Sequence, residues 1–394
     1  MSCNIYFILF LVVSAIVAII FLFDFIPQFH TWQGRIHIGR YADRETWAKK
    51  ILAKSKSWLA KTPTIKLTDN ERLIVFDIIL GNYSRNAIQH WQQASLVLGL
   101  TECVYKTNDE SQKSQITNFV QSKLDDSGNW KNTPKEIDGV ILAYSFLNVD
   151  WLDHKKYKPA YDAMWKMVRE MVGDDGTIQY RTNMKSYRYV DTIGFVCPFL
   201  MAYGIRFNNN EAIDLCVKQI AEFNKYGMLN GEFIPCHTYH TETKLPVGLF
   251  GWGRGLGWYA IGLIDAWKIL PDNHPQKNQL TESVVSFAKT AIKWQQEYGA
   301  WTWIVTRKES RADSSATATL AWCLGQASSI KDISKSCLEA KEKALKYLMT
   351  VTRRDGIVDF SQGDTKDIGV HSQHFDILPF TQGFVLRTVY DHNL

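Results

Sequence analysis

Apolar side chains recur along most of this chain at helical spacing. Val284, Phe287, Ala291 and Trp294 fall on one face of a predicted helix, and Ile213, Cys216, Ile220 and Phe223 on another. From about Asp43 onward the pattern is helical nearly throughout, and strand-like alternation is confined to very short pieces. Those pieces recur. Asp-Asp-Ser-Gly-Asn-Trp ends at Trp130 and Asp-Asp-Gly-Thr-Ile at Ile178, followed by Leu229-Asn-Gly-Glu-Phe, Tyr298-Gly-Ala-Trp-Thr-Trp and Arg354-Asp-Gly-Ile-Val. Each is a Gly turn leading into a β-prone segment, spaced roughly 50–70 residues apart. Two helices fit between turns, so about 350 residues give six helical hairpins. Six hairpins either close into a ring or stack as an open solenoid, which shows stronger repetition and polar caps. The weak repetition predicts the closed form, an all-α (α/α)6 barrel in one continuous domain over residues 44–394.

The stretch from Ile5 to Phe23 departs from this pattern: it is uncharged, almost wholly apolar, and long enough to cross a bilayer core of about 30 Å. No Lys or Arg precedes it, whereas Arg35, Arg40, Arg44, Lys49 and Lys50 follow. The bulky Phe21-Leu-Phe-Asp-Phe-Ile-Pro run is a poor cleavage site, which favours an uncleaved anchor over a secretory signal. The reading is a single-pass transmembrane helix in residues 1–27 and a juxtamembrane linker in 28–43. The positive-inside rule then puts the body in the cytoplasm.

Composition adds little to the fold and something to function. The 14 Trp, 17 Tyr and 20 Phe suit a protein that stacks rings on sugars, though large helical cores also use them. The net charge of +5 is scattered rather than concentrated on one element, which argues against nucleic acid and describes a solvated surface mildly attractive to anions. The seven cysteines include no CxxC pair and lie mostly in apolar helical patterns, so they read as free thiols in a reducing compartment.

Three segments carry candidate chemistry. In Phe250-Gly-Trp-Gly-Arg-Gly-Leu-Gly-Trp258, Gly253, Gly255 and Gly257 open a helix, a cost that implies close approach of the backbone to something. Trp252 and Trp258 offer stacking faces, and Arg254 a fork for a carboxylate or hydroxyls. A Walker loop would need Lys-Ser or Lys-Thr after its last Gly, and a Rossmann loop a preceding strand. Helix packing is the plain alternative. Asp191, in Tyr187-Arg-Tyr-Val-Asp-Thr-Ile-Gly-Phe, begins an apolar helix as either an N-cap or an acid whose pKa is raised by its neighbours. Asp138 opens another apolar helix 53 residues earlier; alone it reads as another cap, but the spacing is close to one repeat, which would let the two carboxylates converge at one end of a toroid. His237 and His240 lack acidic or Cys partners at ligand spacing, so no metal is expected; sugar binding or a surface loop remain. Asp313 and the His371-Ser-Gln-His374 run are further rim candidates.

From about Arg44 to the C-terminus these segments together resemble glycoside hydrolase families 88 and 105, the unsaturated glucuronyl and rhamnogalacturonyl hydrolases. Trp252-Gly-Arg-Gly-Leu-Gly-Trp258 looks like the family's Trp-Gly-Arg-Gly-Asn-Gly-Trp, and Asp191 through Pro198-Phe199-Leu200 like the segment of the catalytic Asp. Asp138 matches the earlier family Asp, and His237 the His of a His-x-aromatic-Asp segment. The resemblance implies an (α/α)6 barrel acting without metal or nucleotide on oligosaccharides ended by a 4,5-unsaturated uronic acid. Asp191 would protonate C4 and help water add at C5, after which the hemiketal collapses; Asp138 would hold hydroxyls and raise the pKa of Asp191. Leu256 replaces the motif's Asn, Tyr189 stands where many members have Trp, and His240 where an Asp is common, all expected at the site. Two other functions fit the residues: another (α/α)6 glycan enzyme, an inverting hydrolase or lyase, and a non-catalytic glycan-binding protein.

Overall fold

The computed structural model describes residues 2–391. Six helices line the inside of a ring: α4 (Asn86–Thr107), α6 (Val140–Leu147), α8 (Val190–Phe207), α10 (Gly253–Ile269), α12 (Ser314–Ala327) and α14 (Pro379–Val389). Outside them lie α2 (Arg44–Ala60), α5 (Glu110–Lys123), α7 (Lys158–Glu170), α9 (Asn210–Tyr226), α11 (Lys277–Trp294) and α13 (Ser334–Thr350). Each inner helix packs on the next, and α14 returns to α4, which closes the ring. Every residue of α6 and of α12 is buried, as expected of helices with apolar or small residues on all sides. The outer helices bury one stripe: Ile213, Cys216, Ile220 and Phe223 in α9, and Val284, Phe287 and Ala291 in α11.

The recurrent Gly turns join outer helices to inner ones. Gly128, Gly176, Gly231, Gly299 and Gly356 all have positive φ, between 70° and 98°, a region that L side chains avoid. Short antiparallel pairs flank them, such as Leu124 with Trp130, Val172 with Ile178 and Thr352 with Val358. These are the β-prone pieces seen in the sequence. Because they precede the starts of α6, α8, α10, α12 and α14, the chain leaving each turn runs to one face of the ring. A small sheet forms there from β1 (Tyr187–Tyr189), β2 (Thr238–His240) and β3 (Pro246–Val247), antiparallel and in that order. A second pair joins β4 (Ser361–Gln362) to β5 (Phe375–Asp376).

The N-terminal helix α1 (Ser2–Arg35) has 34 residues, and its apolar side chains from Ile5 to Phe23 project away from the body. It runs beyond residue 27, so the first part of the expected linker is helical. Its last turn docks on the barrel. Arg35 donates from Nε to Asp359 Oδ2 (2.8 Å) and from one terminal nitrogen to Oδ1 (3.0 Å) and to the Phe375 carbonyl (3.1 Å). Asp24 accepts from the backbone N–H groups of Leu73 (2.6 Å) and Ile74 (3.0 Å), at the start of the short helix α3 (Ile74–Ile79). Among the described residues, α8 is also apolar and long enough to span, but it is an inner helix of the ring.

Candidate active site

A cavity of about 350 Å³ opens at the ring face where the inner helices begin. Asp191, Asp138, Tyr189, His237, Arg254 and Trp258 all line it. Trp252 and His240 do not.

Asp191 is the second residue of α8, which has no side-chain cap, and Asp138 lies in the 3₁₀ turn Ile137–Gly139, likewise uncapped. Neither carboxylate is therefore explained as a cap. Burial raises the Asp191 pKa to about 7; Arg254 opposes the shift, and Asp364 and Asp138 add to it. Its Oδ2 has no hydrogen-bond partner. Burial also raises Asp138, against the pull of Arg181, whose guanidinium donates to Asp138 Oδ2 at 3.2 Å. Asp138 Oδ1 is left without a partner. Arg181 pairs in addition with Glu136 and lies 4.2 Å above the Tyr180 ring.

The small sheet brings His237 to Asp191. The Val190 N–H donates to the His237 carbonyl at 3.0 Å, directly ahead of the pairing of Tyr189 with Thr238. The imidazole Nδ1 accepts from the Gly369 N–H at 3.4 Å, which leaves the ring proton on Nε2, 3.7 Å from Asp191 Oδ2. Burial lowers the His237 pKa to about 3, so the ring is neutral and the contact is polar rather than an ion pair. Tyr189 packs edge-on against His237 and donates its hydroxyl to the Met184 sulfur at 2.9 Å.

Arg254 grips the protein rather than open space. Its two terminal nitrogens donate to the carbonyls of Gln362 and Gly363, the latter at 2.7 Å, and its guanidinium lies over Trp252. Trp252 in turn donates to Gln362 Oε1 at 2.9 Å. The expected stacking face of Trp252 is thus turned to Arg254, His237 and His371 behind the cavity wall. His240 sits at the end of β2, edge-on to Tyr187, and accepts from the Thr243 N–H at 3.3 Å. The β pleat accounts for this, since residues three apart point to opposite faces. Trp258 forms an aromatic wall with Phe195 (centroids 4.4 Å apart), Phe380 (4.7 Å) and Trp91 (5.4 Å).

Several expectations change. The glycines of the Trp/Arg segment admit neighbouring protein: a Cβ on Gly257 would lie 2.3 Å from Thr319 Oγ1, and one on Gly253 2.6 Å from the Thr302 carbonyl. Leu256 is buried in the apolar core and does not line the cavity, so of the three departures only Tyr189 reaches it. Asp313 caps α12 and accepts from the Gln362 N–H at 3.1 Å, bracing the loop that Arg254 holds. His374 pairs with Glu71 away from the cavity.

Asp364 is a third carboxylate at the cavity. Burial and the nearby Asp138 raise its pKa to about 6, with Arg254 opposing at 4.0 Å. Tyr180, Arg181, Trp91 and Arg85 also line it. Tyr180 and Arg181 follow the Asp-Asp-Gly-Thr-Ile turn at once, and Asp364 comes shortly after Arg354-Asp-Gly-Ile-Val. Following each β-prone segment onward to the ring face was the signal for all three. Among the described residues no group of three or more His, Cys, Asp and Glu is arranged to hold a metal ion.

The family model of Glycosyl Hydrolase Family 88 matches residues 65–386. The unsaturated rhamnogalacturonyl hydrolase YesR of Bacillus subtilis is 21% identical over 303 residues, covering 74% of this chain and 84% of that protein. A possible family 105 member from Salmonella enterica has the same fold, with a TM-score of 0.73 at 15% identity over 90% of this chain and 95% of that one. The unsaturated glucuronyl hydrolase of Bacillus sp. GL1 gives 0.63 at 17% identity, covering 87% of this chain and 94% of its own. A family match over most of the ring, from ahead of α4 into α14, makes this protein a glycoside hydrolase belonging to glycosyl hydrolase family 88.

Proposed function

We propose that this glycoside hydrolase releases a 4,5-unsaturated uronic acid from the non-reducing end of lyase-generated oligosaccharides, with Asp191 as its acid and base. The observation that carries the assignment of Asp191 is a buried carboxyl with pKa about 7 that caps no helix and faces a cavity. Such a group holds a proton at neutral pH and can give it to C4 of the vinyl ether. Once ionised it takes the proton from the water that adds at C5, and the hemiketal then collapses and frees the remaining sugar. The Nε2–H of His237 steadies the carboxylate, and Asp138, held by Arg181, binds substrate hydroxyls. Arg85, Lys366 and the positive ends of α4, α8 and α10 make the cavity receptive to a uronate carboxylate. Trp258 and Tyr189 supply apolar ring faces. The names of the relatives from Bacillus subtilis and Bacillus sp. GL1 support this substrate class.

Loss of the ultraviolet absorbance of the conjugated double bond, followed over a panel of lyase-generated disaccharides, tests the reading. Turnover of saturated glycans with no such loss would replace it with an ordinary inverting hydrolase.

The apolar part of α1 is read as a single membrane span, with the basic residues after it placing the body on the cytoplasmic side. The buried, unpaired thiols of Cys103, Cys197, Cys216, Cys236, Cys323 and Cys337 fit a reducing compartment. Protease protection in sealed membrane vesicles reports the side.

A further inference from the structure

We infer that the turn and helix from Leu73 to Leu80 form a second membrane contact, immersed in the interfacial layer of the same leaflet from which α1 emerges. The inference rests on the reading of α1 as a membrane span. The 19 residues from Ile5 to Phe23 rise about 28 Å as a helix, the thickness of a bilayer core, so the core ends at Asp24. Asp24 is the residue whose carboxylate accepts from the Leu73 and Ile74 N–H groups. One hydrogen-bonded junction therefore fixes α3 at the level where hydrocarbon gives way to headgroups.

What α3 presents there is apolar. Ile79 is 73% exposed and Leu80 70%, and Leu73, Phe76 and Ile78 are exposed beside them, while Ile74 alone is buried against the body. The polar residue of the helix, Asp77, is turned to Asn70, whose amide donates to it at 2.9 Å. Leu73 has φ +56°, a strained value for a leucine, which the Asp24 carboxylate holds in place through its N–H. A large aliphatic cluster in water has no stabilising reason to be there, and a lipid interface supplies one. From the end of the core onward α1 carries Phe25 and Phe29, stacked 5.7 Å apart, and Trp32, tilted 5.8 Å from Phe29; Trp32 is a residue type favoured at membrane–water boundaries. Arg72, exposed at the edge of the cluster, faces the headgroups.

Two contacts fix the orientation of the body, where one helix would leave it free to turn. Segment 66–72 leads from the cavity wall at Leu67 to this cluster, and Lys66 and Asp69 tie it to the 366–376 loop through His374 and Lys366. The cavity mouth is thereby held close to the membrane plane.

The test uses the full chain in phosphatidylcholine–phosphatidylglycerol vesicles containing brominated lipid. On a Cys3→Ser background, a fluorophore is attached at Ile79→Cys, Leu80→Cys, Ile16→Cys or Leu338→Cys, the last on the exposed face of α13. Loss of fluorescence at 79, 80 and 16, with none at 338, supports the inference. Quenching at 16 but not at 79 or 80 overturns it and leaves the span intact. No quenching at 16 overturns the span and this inference with it. A label at 79 shielded from both brominated lipid and aqueous iodide means that protein covers the cluster, which also overturns it.

Discussion

The Nε2–H of His237 points at Oδ2 of Asp191 across 3.7 Å, and the backbone of Gly369 fixes that orientation from the far side of the ring. Asp191 thus faces a neutral imidazole and the cavity, and it caps nothing. Asp191→Asn is expected to lower turnover by at least about 10²–10⁴-fold, the usual worth of general acid–base catalysis. Steady-state kinetics on a lyase-generated disaccharide checks this; more than about a tenth of the parent rate would return Asp191 to a structural role.

The same substitution carries a stability signature. Folding raises the Asp191 pKa to about 7 from an unfolded value near 3.9, so its ionisation costs stability increasingly as pH rises between the two. Asn removes that cost. The variant is expected to melt with the parent below about pH 4 and to exceed it above about pH 7, by on the order of 2–4 kcal/mol. Melting curves across this range decide it.

Activity needs the protonated acid, so kcat/KM should fall as pH rises through about 7. The Asp364 charge raises the Asp191 pKa, and Asp364→Asn should move this alkaline limb to lower pH. A limb that stays in place would mean that the two carboxylates are not coupled.

Arg254→Lys is expected to lower kcat/KM about 10–100-fold, mainly through KM, because one ammonium replaces a fork that holds two carbonyls of the 362–367 loop. An unchanged kcat/KM in the lysine variant would mean that the fork is not what holds the loop in place.

Arg35→Ala tests how α1 is seated. Asp359 is fully buried, and although burial works against its charge, Arg35 and Arg353 hold its pKa below the usual range. Loss of Arg35 should cost about 1.5–3 kcal/mol, seen in melting experiments. The cost should shrink as pH falls and Asp359 takes up a proton.

The ring was legible because its signals are local and repeated: a 3.6-residue period, and a turn glycine of positive φ ahead of five of the six inner helices. Asp191 and Asp138 were legible because an acid opening an apolar helix is conspicuous. Asp364 and Arg181 lie in irregular segments whose path is set by contacts far away in sequence, such as Arg254 with Gly363. The roles of Trp252 and His240 depended on which way a side chain turns from a strand or helix start, which composition does not encode. The glycines around Arg254 were visible, but whether substrate or Thr319 occupied the space beside them was decided by the neighbouring inner helix.

Closure of the ring has a kinetic consequence. Ser95 in α4 donates to the Phe380 carbonyl in α14 across 285 residues of sequence, and a Cβ on Gly383 would lie 2.2 Å from the Ser95 carbonyl. The seam is tight and non-local, so it forms late in folding and only after nearly the whole chain has been made. Phe380 also packs on Trp91 and Trp258, so the aromatic wall of the cavity is completed in that same step. A chain ending before α14 would therefore be an open arc with its apolar inner faces exposed, prone to aggregate rather than to work as a smaller enzyme.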